Sequence, residues 1–585
     1  MKVLDELTSV LSEAFKECGY DENLGKVTIS NRPDLCQFQC NGAMAGAKLY
    51  KKAPAMIANE IADKLKDNDI FSKIEVVMPG FININISDKK LLEFISFMNQ
   101  DENLGIEQIG AGKTAIVDYG GPNVAKPLHV GHIRSAIIGE AVKRLARALG
   151  YKAIGDIHLG DWGLQMGLII AQYSEEHPDS KYLDEGYEGE YPELDITIDE
   201  LNDIYPKASA RSKVDEEFMQ KAQQITFDLQ KGKRGYIAFW KEIMKISVND
   251  MKKSYKKLNV EFELWLGESD SERYIPDMIE QFIKDGHAYE SEGALIVDVA
   301  KPDDKAPMPP VIVRKRNGSQ IYATTDLATI VQRMQDFKPA TMLYFTDNRQ
   351  GLHFEQVFRC ARKTGLVDDS VDLEWNGFGT MNGKDGKPYK TRDGGVMRLS
   401  DLIDNVVDGA KEKIADSENM KEYSQEEKDE IARKVGVAAL KFGDLINHRS
   451  KDYVFDLDRF LSFEGKTGPY LLYTIVRINS ILNKAEGMKF SDLQVPQSDS
   501  ERNLMLKLIH LSDNVEAAMK DRAPSVICEN AYVIASEFNK FYYENKIISE
   551  SDEEKRGAWL TLCAFVKKVL EKHMDILAIE VPERM

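Results

Sequence analysis

The segment Thr114–Gly150, TAIVDYGGPNVAKPLHVGHIRSAIIGEAVKRLARALG, decides the fold. It opens on a short apolar strand that runs into Gly120, Gly121 and Pro122. Beyond the loop, Ile133, Ile137, Val142, Leu145 and Leu149 share one helical stripe, and Gly150 is a natural stop. A second strand follows in YKAIGDIHLGDWG. Strand, glycine loop, helix and strand make a βαβ unit, which predicts a parallel sheet with a right-handed crossover. The first N–H groups of such a helix lack partners, and its dipole favours an anion there. Gly131 lets a ligand approach the backbone, while His129 and His132, one turn apart, can donate to the same group. A metal site would need further donors, and the loop offers no HExxH, no cysteine and no third histidine. A plain helix start leaves GGPNVAKP without a reason. With neither GxGxxG nor a Walker loop present, the glycine turn alone is weak evidence for a nucleotide.

Outward from this unit, residues 1–112 mix helices with alternating, strand-like runs (KVTISN, KIEVVMPGFININIS), which predicts a small α+β domain. Residues 113–400 are expected to form the α/β domain, with a charged helical insertion at about 175–290. Strand-like runs return at GALIVDV, PPVIVRK and TMLYFTD. A helical stem over 401–455 and a helical bundle over 456–585 complete the expected organisation.

At 585 residues the chain exceeds one core. Its net charge of −19 counts against nonspecific nucleic-acid binding, although basic groups gathered in strips remain compatible with a specific one. The six cysteines form no CxxC pair, so neither a disulfide framework nor a zinc ribbon is indicated. No basic n-region with an apolar h-region opens the chain, and no apolar run approaches the roughly 18–20 residues that span a bilayer. A reduced, cytoplasmic protein with no membrane partner is expected.

The loop HVGH resembles the HIGH signature of class I aminoacyl-tRNA synthetases. The longer GPNVAKPLHVGHIRS is similar to arginyl-tRNA synthetases in particular. So are LGDWGLQMG (159–167), IYATTDLA (321–328), NRQGLHFEQVF (348–358), ALKFGDL (439–445), FEGKTGPYLLYTIVRI (463–478) and the final AIEVPERM. Each is short, but the ordered set is specific. The resemblance implies a Rossmann-like catalytic domain between an N-terminal α+β domain and a C-terminal helical anticodon-binding domain. It also implies a monomer that uses ATP, with magnesium, to join L-arginine to its tRNA through an arginyl-adenylate.

On that resemblance His129, Gly131 and His132 hold ATP, and His353 and Gln356 match positions near the nucleotide. The cationic stretch NGKDGKPYKTRDGG (382–395) matches the family's KMSKS loop, with Lys390 and Arg392 among its catalytic residues. Thr391 stands where the second lysine of that motif would lie, and the resemblance implies that Lys126 takes over its role. Asp118, Tyr322 and Asp326 match an arginine pocket in which two carboxylates face a planar guanidinium. Asn123 and Gln350 match residues that hold the α-amino group. Taken alone, Asp326 reads as a helix N-cap and Asp118 as a solvated strand end. Tyr470, Tyr473 and Arg477 fit a surface for unpaired bases, and equally a bundle core. Phe81 and Asn83 match contacts to the tRNA corner. Cysteinyl-tRNA synthetase, which would show zinc ligands, and a small adenylyltransferase, which would not need the helical C-terminus, are rival readings. A paralogue that binds tRNA or arginine without charging is the alternative of another class.

Overall fold

A computed structural model describes residues 2–316, 318, 320–387, 389, 397–415 and 421–585. The N-terminal part is a four-stranded antiparallel sheet of β1 (Val27–Ile29), β2 (Phe38–Cys40), β3 (Phe71–Val77) and β4 (Phe81–Ile86), in the order β1-β2-β4-β3. The β3–β4 hairpin is the alternating run seen in the sequence. Strand β2, only three residues long, is too short to show a period of two.

The central sheet is parallel, in the order β11-β10-β5-β6, formed by β5 (Thr114–Tyr119), β6 (Lys152–Asp156), β10 (Thr341–Phe345) and β11 (Asp372–Trp375). The chain leaves β5 for β6 on one side and reaches it again through β10 on the other. The carboxyl ends of β5 and β10 therefore flank the crevice where open α/β sheets take ligands. GALIVDV and PPVIVRK do not join this sheet. With β7 (Ala288–Ser291) they form a separate antiparallel sheet of β7, β8 (Ala294–Val297) and β9 (Val311–Arg314).

The Ile133–Ala148 helix departs from the amphipathic reading, because nearly every side chain on it is buried, Glu140 and Lys143 included. One side packs on the parallel sheet and the other on C-terminal helices. Two of its charges are matched by distant residues, Arg134 by Asp444 at 3.1 Å and Arg144 by Asp575 at 3.2 Å, while Glu140 and Lys143 pair within the helix at 3.0 Å. The helix also needs Gly139, where a Cβ would lie 2.2 Å from Cγ of Tyr119. Overpacking of that kind costs about 1–3 kcal/mol. This exceeds the roughly 1 kcal/mol that alanine gains over glycine in a helix interior. Gly139→Ala is therefore expected to lower the thermal unfolding temperature; an unchanged melt would mean that the Tyr119 ring relaxes freely.

The C-terminal region is helical, over Gly468–Lys484, Asp499–Leu508, Leu511–Asp521, Pro524–Glu544 and Glu553–Ile576. Short strands β12 (Met381–Asn382) and β13 (Tyr453–Val454) pair in parallel and tie the stem to the catalytic part. Among the described residues no helix is long and apolar enough to cross a membrane.

Candidate active site at the carboxyl edge of the parallel sheet

Gly120 and Gly121 turn the chain out of β5 with φ of 101° and 55°, a region that favours glycine. Ser135 stitches the crevice: its Oγ accepts from the Gly120 N–H at 2.7 Å and donates to the Phe345 carbonyl at 2.9 Å. The loop then lies against the one after β6, with Val124 N–H donating to the Gly160 carbonyl and Gly160 N–H to that of Pro122, both at 3.1 Å. Asn123 is exposed at this seam.

His129 caps a short 3-10 turn, Val130–His132, that leads into the long helix. Its Nδ1 accepts from the Gly131 N–H at 3.1 Å, and Nδ1 of His132 accepts from the His129 N–H at 3.0 Å. The two rings lie 3.9 Å apart, centre to centre. Desolvation, followed by the neighbouring imidazole, pushes His132 down to about 3. His129 is lowered as well, by desolvation and then by Lys126. Both rings are therefore neutral near pH 7. Since each Nδ1 is an acceptor, each Nε2 carries the proton and is a donor. Two N–H donors thus stand at a helix tip.

Lys126 is half-buried, with its ammonium 3.8 Å from the centre of the Tyr205 ring, and burial lowers its pKa. Among the described residues no carboxylate pairs with it. Residues just after the cationic stretch pair with this loop: Val130 N–H donates to the Met397 carbonyl at 3.0 Å and Leu399 N–H to that of Leu128 at 2.9 Å. Lys384 and Lys387 are exposed. Lys390, Thr391 and Arg392 lie outside the described residues.

A group of acidic side chains gathers at the loop after β6, which the glycine loop also lies against. The helix Tyr322–Asp336 begins at Tyr322, so Asp326 sits in its second turn and is not an N-cap. Its Oδ2 bonds Nε2 of His353 at 2.6 Å, and its Oδ1 lies 3.7 Å from Nε2 of His158. Glu268 faces the same space: burial first, and then Asp161 and Asp326 against the opposing pull of His158, leave its carboxyl raised to about 7. Tyr322 is 70% exposed at the rim. Asp161 is raised to about 6 by burial and holds Ser269, with Ser269 Oγ donating at 2.6 Å. Trp162 packs edge-on against Trp240.

The chain matches the model of the class I tRNA synthetase catalytic domain (R) over residues 94–457. It also matches the arginyl tRNA synthetase N-terminal domain over 5–86 and the DALR anticodon binding domain over 471–585. It is 53% identical to the arginine--tRNA ligase of Alkaliphilus oremlandii and 51% identical to that of Agathobacter rectalis, each over the whole of both chains. The chain belongs to the arginyl-tRNA synthetases. Two solved arginyl-tRNA synthetase structures share the fold over the full length of both chains. That of Plasmodium falciparum has a TM-score of 0.82 at 24% identity, and that of Thermus thermophilus 0.79 at 19%.

Within this arginyl-tRNA synthetase several expected residues are placed otherwise than the sequence predicts. Asp118 is neither a solvated strand end nor a free pocket wall. It is buried, and its carboxylate takes a hydrogen bond from Nη2 of Arg333 at 2.5 Å. Gln356 turns to the Pro309 carbonyl at 2.8 Å, and His353 is held by Asp326, so each is engaged within the protein. Asn83 is 5% exposed, its Oδ1 taken by Gln39 Nε2 at 2.8 Å, because it sits inside the antiparallel ladder. Phe81 is half-buried at the hairpin end. Gln350 is exposed where the loop after β10 enters the next helix. Tyr470, Tyr473 and Arg477 do meet on one face. Asn539 donates to the Tyr470 hydroxyl at 2.9 Å and accepts from Arg477, whose guanidinium lies 4.8 Å over Tyr473 and 5.7 Å over Tyr542. Sequence reasoning missed Glu268, His158 and Arg333. Only His158 carried a signal, standing just past the carboxyl end of a parallel strand.

Proposed function

We propose that the crevice charges tRNA with L-arginine in two steps. The arginine carboxylate attacks the α-phosphorus of ATP and pyrophosphate leaves; the arginyl group then passes to a ribose hydroxyl of the terminal adenosine of the tRNA. What carries this reading is one juxtaposition. Two neutral imidazoles with Nε2–H donors stand at a helix tip, and on the same carboxyl edge of the sheet Asp326 and Glu268 gather at the loop after β6. The donors meet phosphate oxygens, and the acidic cluster takes the guanidinium. Neither step needs a protein nucleophile, because positioning and charge stabilisation suffice. Asn123 and Gln350, exposed at the crevice rim, suit the α-amino group.

Magnesium enters with the nucleotide in this reading. Asp118, Asp156 and His158 bring three ligand atoms within 4.8 Å of one another, but the Arg333 guanidinium already takes an oxygen from each aspartate, which does not suit a resident cation. The aromatic and cationic face of Tyr470, Tyr473 and Arg477 suits stacking of unpaired anticodon bases. We further place the enzyme in the cytoplasm as a monomer.

Charging assays that offer each amino acid in turn test the reading: transfer of anything but arginine, or binding without transfer, would overturn it. Exchange between pyrophosphate and ATP, run with and without tRNA, asks whether activation waits for tRNA. For Lys126, alanine is expected to slow activation by about 10- to 10²-fold, below the full range for a buried donor because the site is partly open to water. Arginine KM should stay within about 2-fold, as the ammonium is assigned to the phosphates. Wild-type turnover would remove Lys126 from the mechanism.

A further inference from the structure

Arg333 is 1% exposed and has no part in the chemistry above, yet a series of contacts links it to the acidic cluster. Its Nη2 donates to Oδ2 of Asp118 at 2.5 Å and to Oδ2 of Asp156 at 2.7 Å, joining the carboxyl ends of β5 and β6. The guanidinium also lies 5.2 Å over the ring of Tyr344 in β10. One side chain thus holds three strands of the sheet. It is seven residues beyond Asp326 on the same helix, which places the two on one face.

The contacts continue to the acidic cluster. Asp156 uses its other oxygen, Oδ1, to accept the backbone N–H of His158 at 3.3 Å. His158 has a φ of 45°, a left-handed conformation uncommon outside glycine, and the hydrogen bond from its N–H to Asp156 helps to hold it. In that conformation its Nε2 lies 3.7 Å from Oδ1 of Asp326. A chain of neighbours therefore runs from Arg333 through Asp156 and His158 to the carboxylate assigned to the substrate.

We propose that Arg333 is a positioning residue for amino-acid recognition: a resident guanidinium that occupies Asp118 and Asp156, sets the His158 turn, and so fixes Asp326 for the incoming guanidinium. This rests on the arginine pocket described under Proposed function. It explains why the crevice can hold more carboxylates than the substrate has charges. One oxygen of each inner carboxylate is already bound from within, which leaves Asp326 and Glu268 outside the Arg333 bridge. One nitrogen, Nη2, makes both bonds while the planar group lies over Tyr344, and an ammonium on a flexible stem lacks the plane that packs there.

The test is Arg333→Lys in the full-length enzyme, with steady-state kinetics for both small substrates. Arginine KM is expected to rise at least 10-fold while ATP KM stays within 2-fold, a split that general loosening of the fold would not produce. Asp156→Asn gives a second route, because its one remaining oxygen can serve Arg333 or the His158 N–H but not both. It should raise arginine KM with ATP KM unchanged, and it keeps the proposal testable if the lysine variant does not fold. Unchanged arginine KM in a folded variant would overturn the proposal, as would a parallel rise in both KM values. Failure of the wild-type enzyme to charge arginine would instead strike the underlying functional reading, so the two failures are distinguishable.

Discussion

A His132→Ala enzyme is expected to form the arginyl-adenylate about 10²–10³-fold more slowly than the parent, the usual cost of removing one fixed donor from a site of developing charge. The donor is fixed because its ring cannot turn without giving up the hydrogen bond from the His129 N–H to Nδ1. Arginine KM should change little, since the imidazole is assigned to the phosphates and not to the guanidinium. His132→Gln, which can place an amide N–H near the lost Nε2–H, should recover part of the rate. The imidazole is pushed down to about 3 while an unfolded histidine titrates near 6.5. Between those values the unfolded chain holds the extra proton, so His132 weakens folding as the pH falls through that window and has no such effect above it. Melting curves from pH 7.5 to 4.5 should therefore show a shallower acid decline in the variant. Burst-phase adenylate formation in His132→Ala at the parental rate would exclude the pair from phosphate stabilisation.

The placement of that pair at a helix start was legible because a strand, two glycines and two histidines are contiguous, and local rules govern contiguous residues. The parallel sheet was equally legible from its first βαβ unit. The acidic cluster was not. Its acids come from Tyr322–Asp336 and from the short helix Glu268–Ser271, far apart in sequence, and nothing local marks Glu268 as a group that burial will raise. Asp118 shows the limit most clearly. Its place at a strand end was readable, but its partner Arg333 lies 215 residues away, and in LATIVQRMQD that arginine reads as an ordinary charge on a helix surface. The same reason hid the burial of the Ile133–Ala148 helix, whose charges are satisfied by residues such as Asp444 and Asp575 that only the fold delivers.

Asp326→Asn tests the acidic cluster from the amino-acid side. Removing one charged partner of a desolvated pair costs about 2–5 kcal/mol, roughly 30- to 4,000-fold in kcat/KM for arginine. The two oxygens of Asp326 have separate tasks. Oδ2 is bonded to His353 at 2.6 Å, whereas Oδ1, with His158 beside it at 3.7 Å, has no hydrogen bond of its own among the described residues and can take a guanidinium N–H. Asparagine can keep the first contact and lose the charge of the second, so ATP KM should hold while kcat/KM for arginine falls. Glu268→Gln should cost less. A carboxyl raised to about 7 is partly protonated at neutral pH, and the energy needed to ionise it offsets part of what its charge contributes. It follows that arginine binding near pH 7 should release a proton, measurable by calorimetry in buffers of different ionisation enthalpy and diminished in Glu268→Gln. Discrimination against lysine should fall in Asp326→Asn as well, because an ammonium that reaches only one carboxylate then competes with a guanidinium that has lost its second. Retention of parental kcat/KM in Asp326→Asn would mean that the guanidinium binds elsewhere than this cluster.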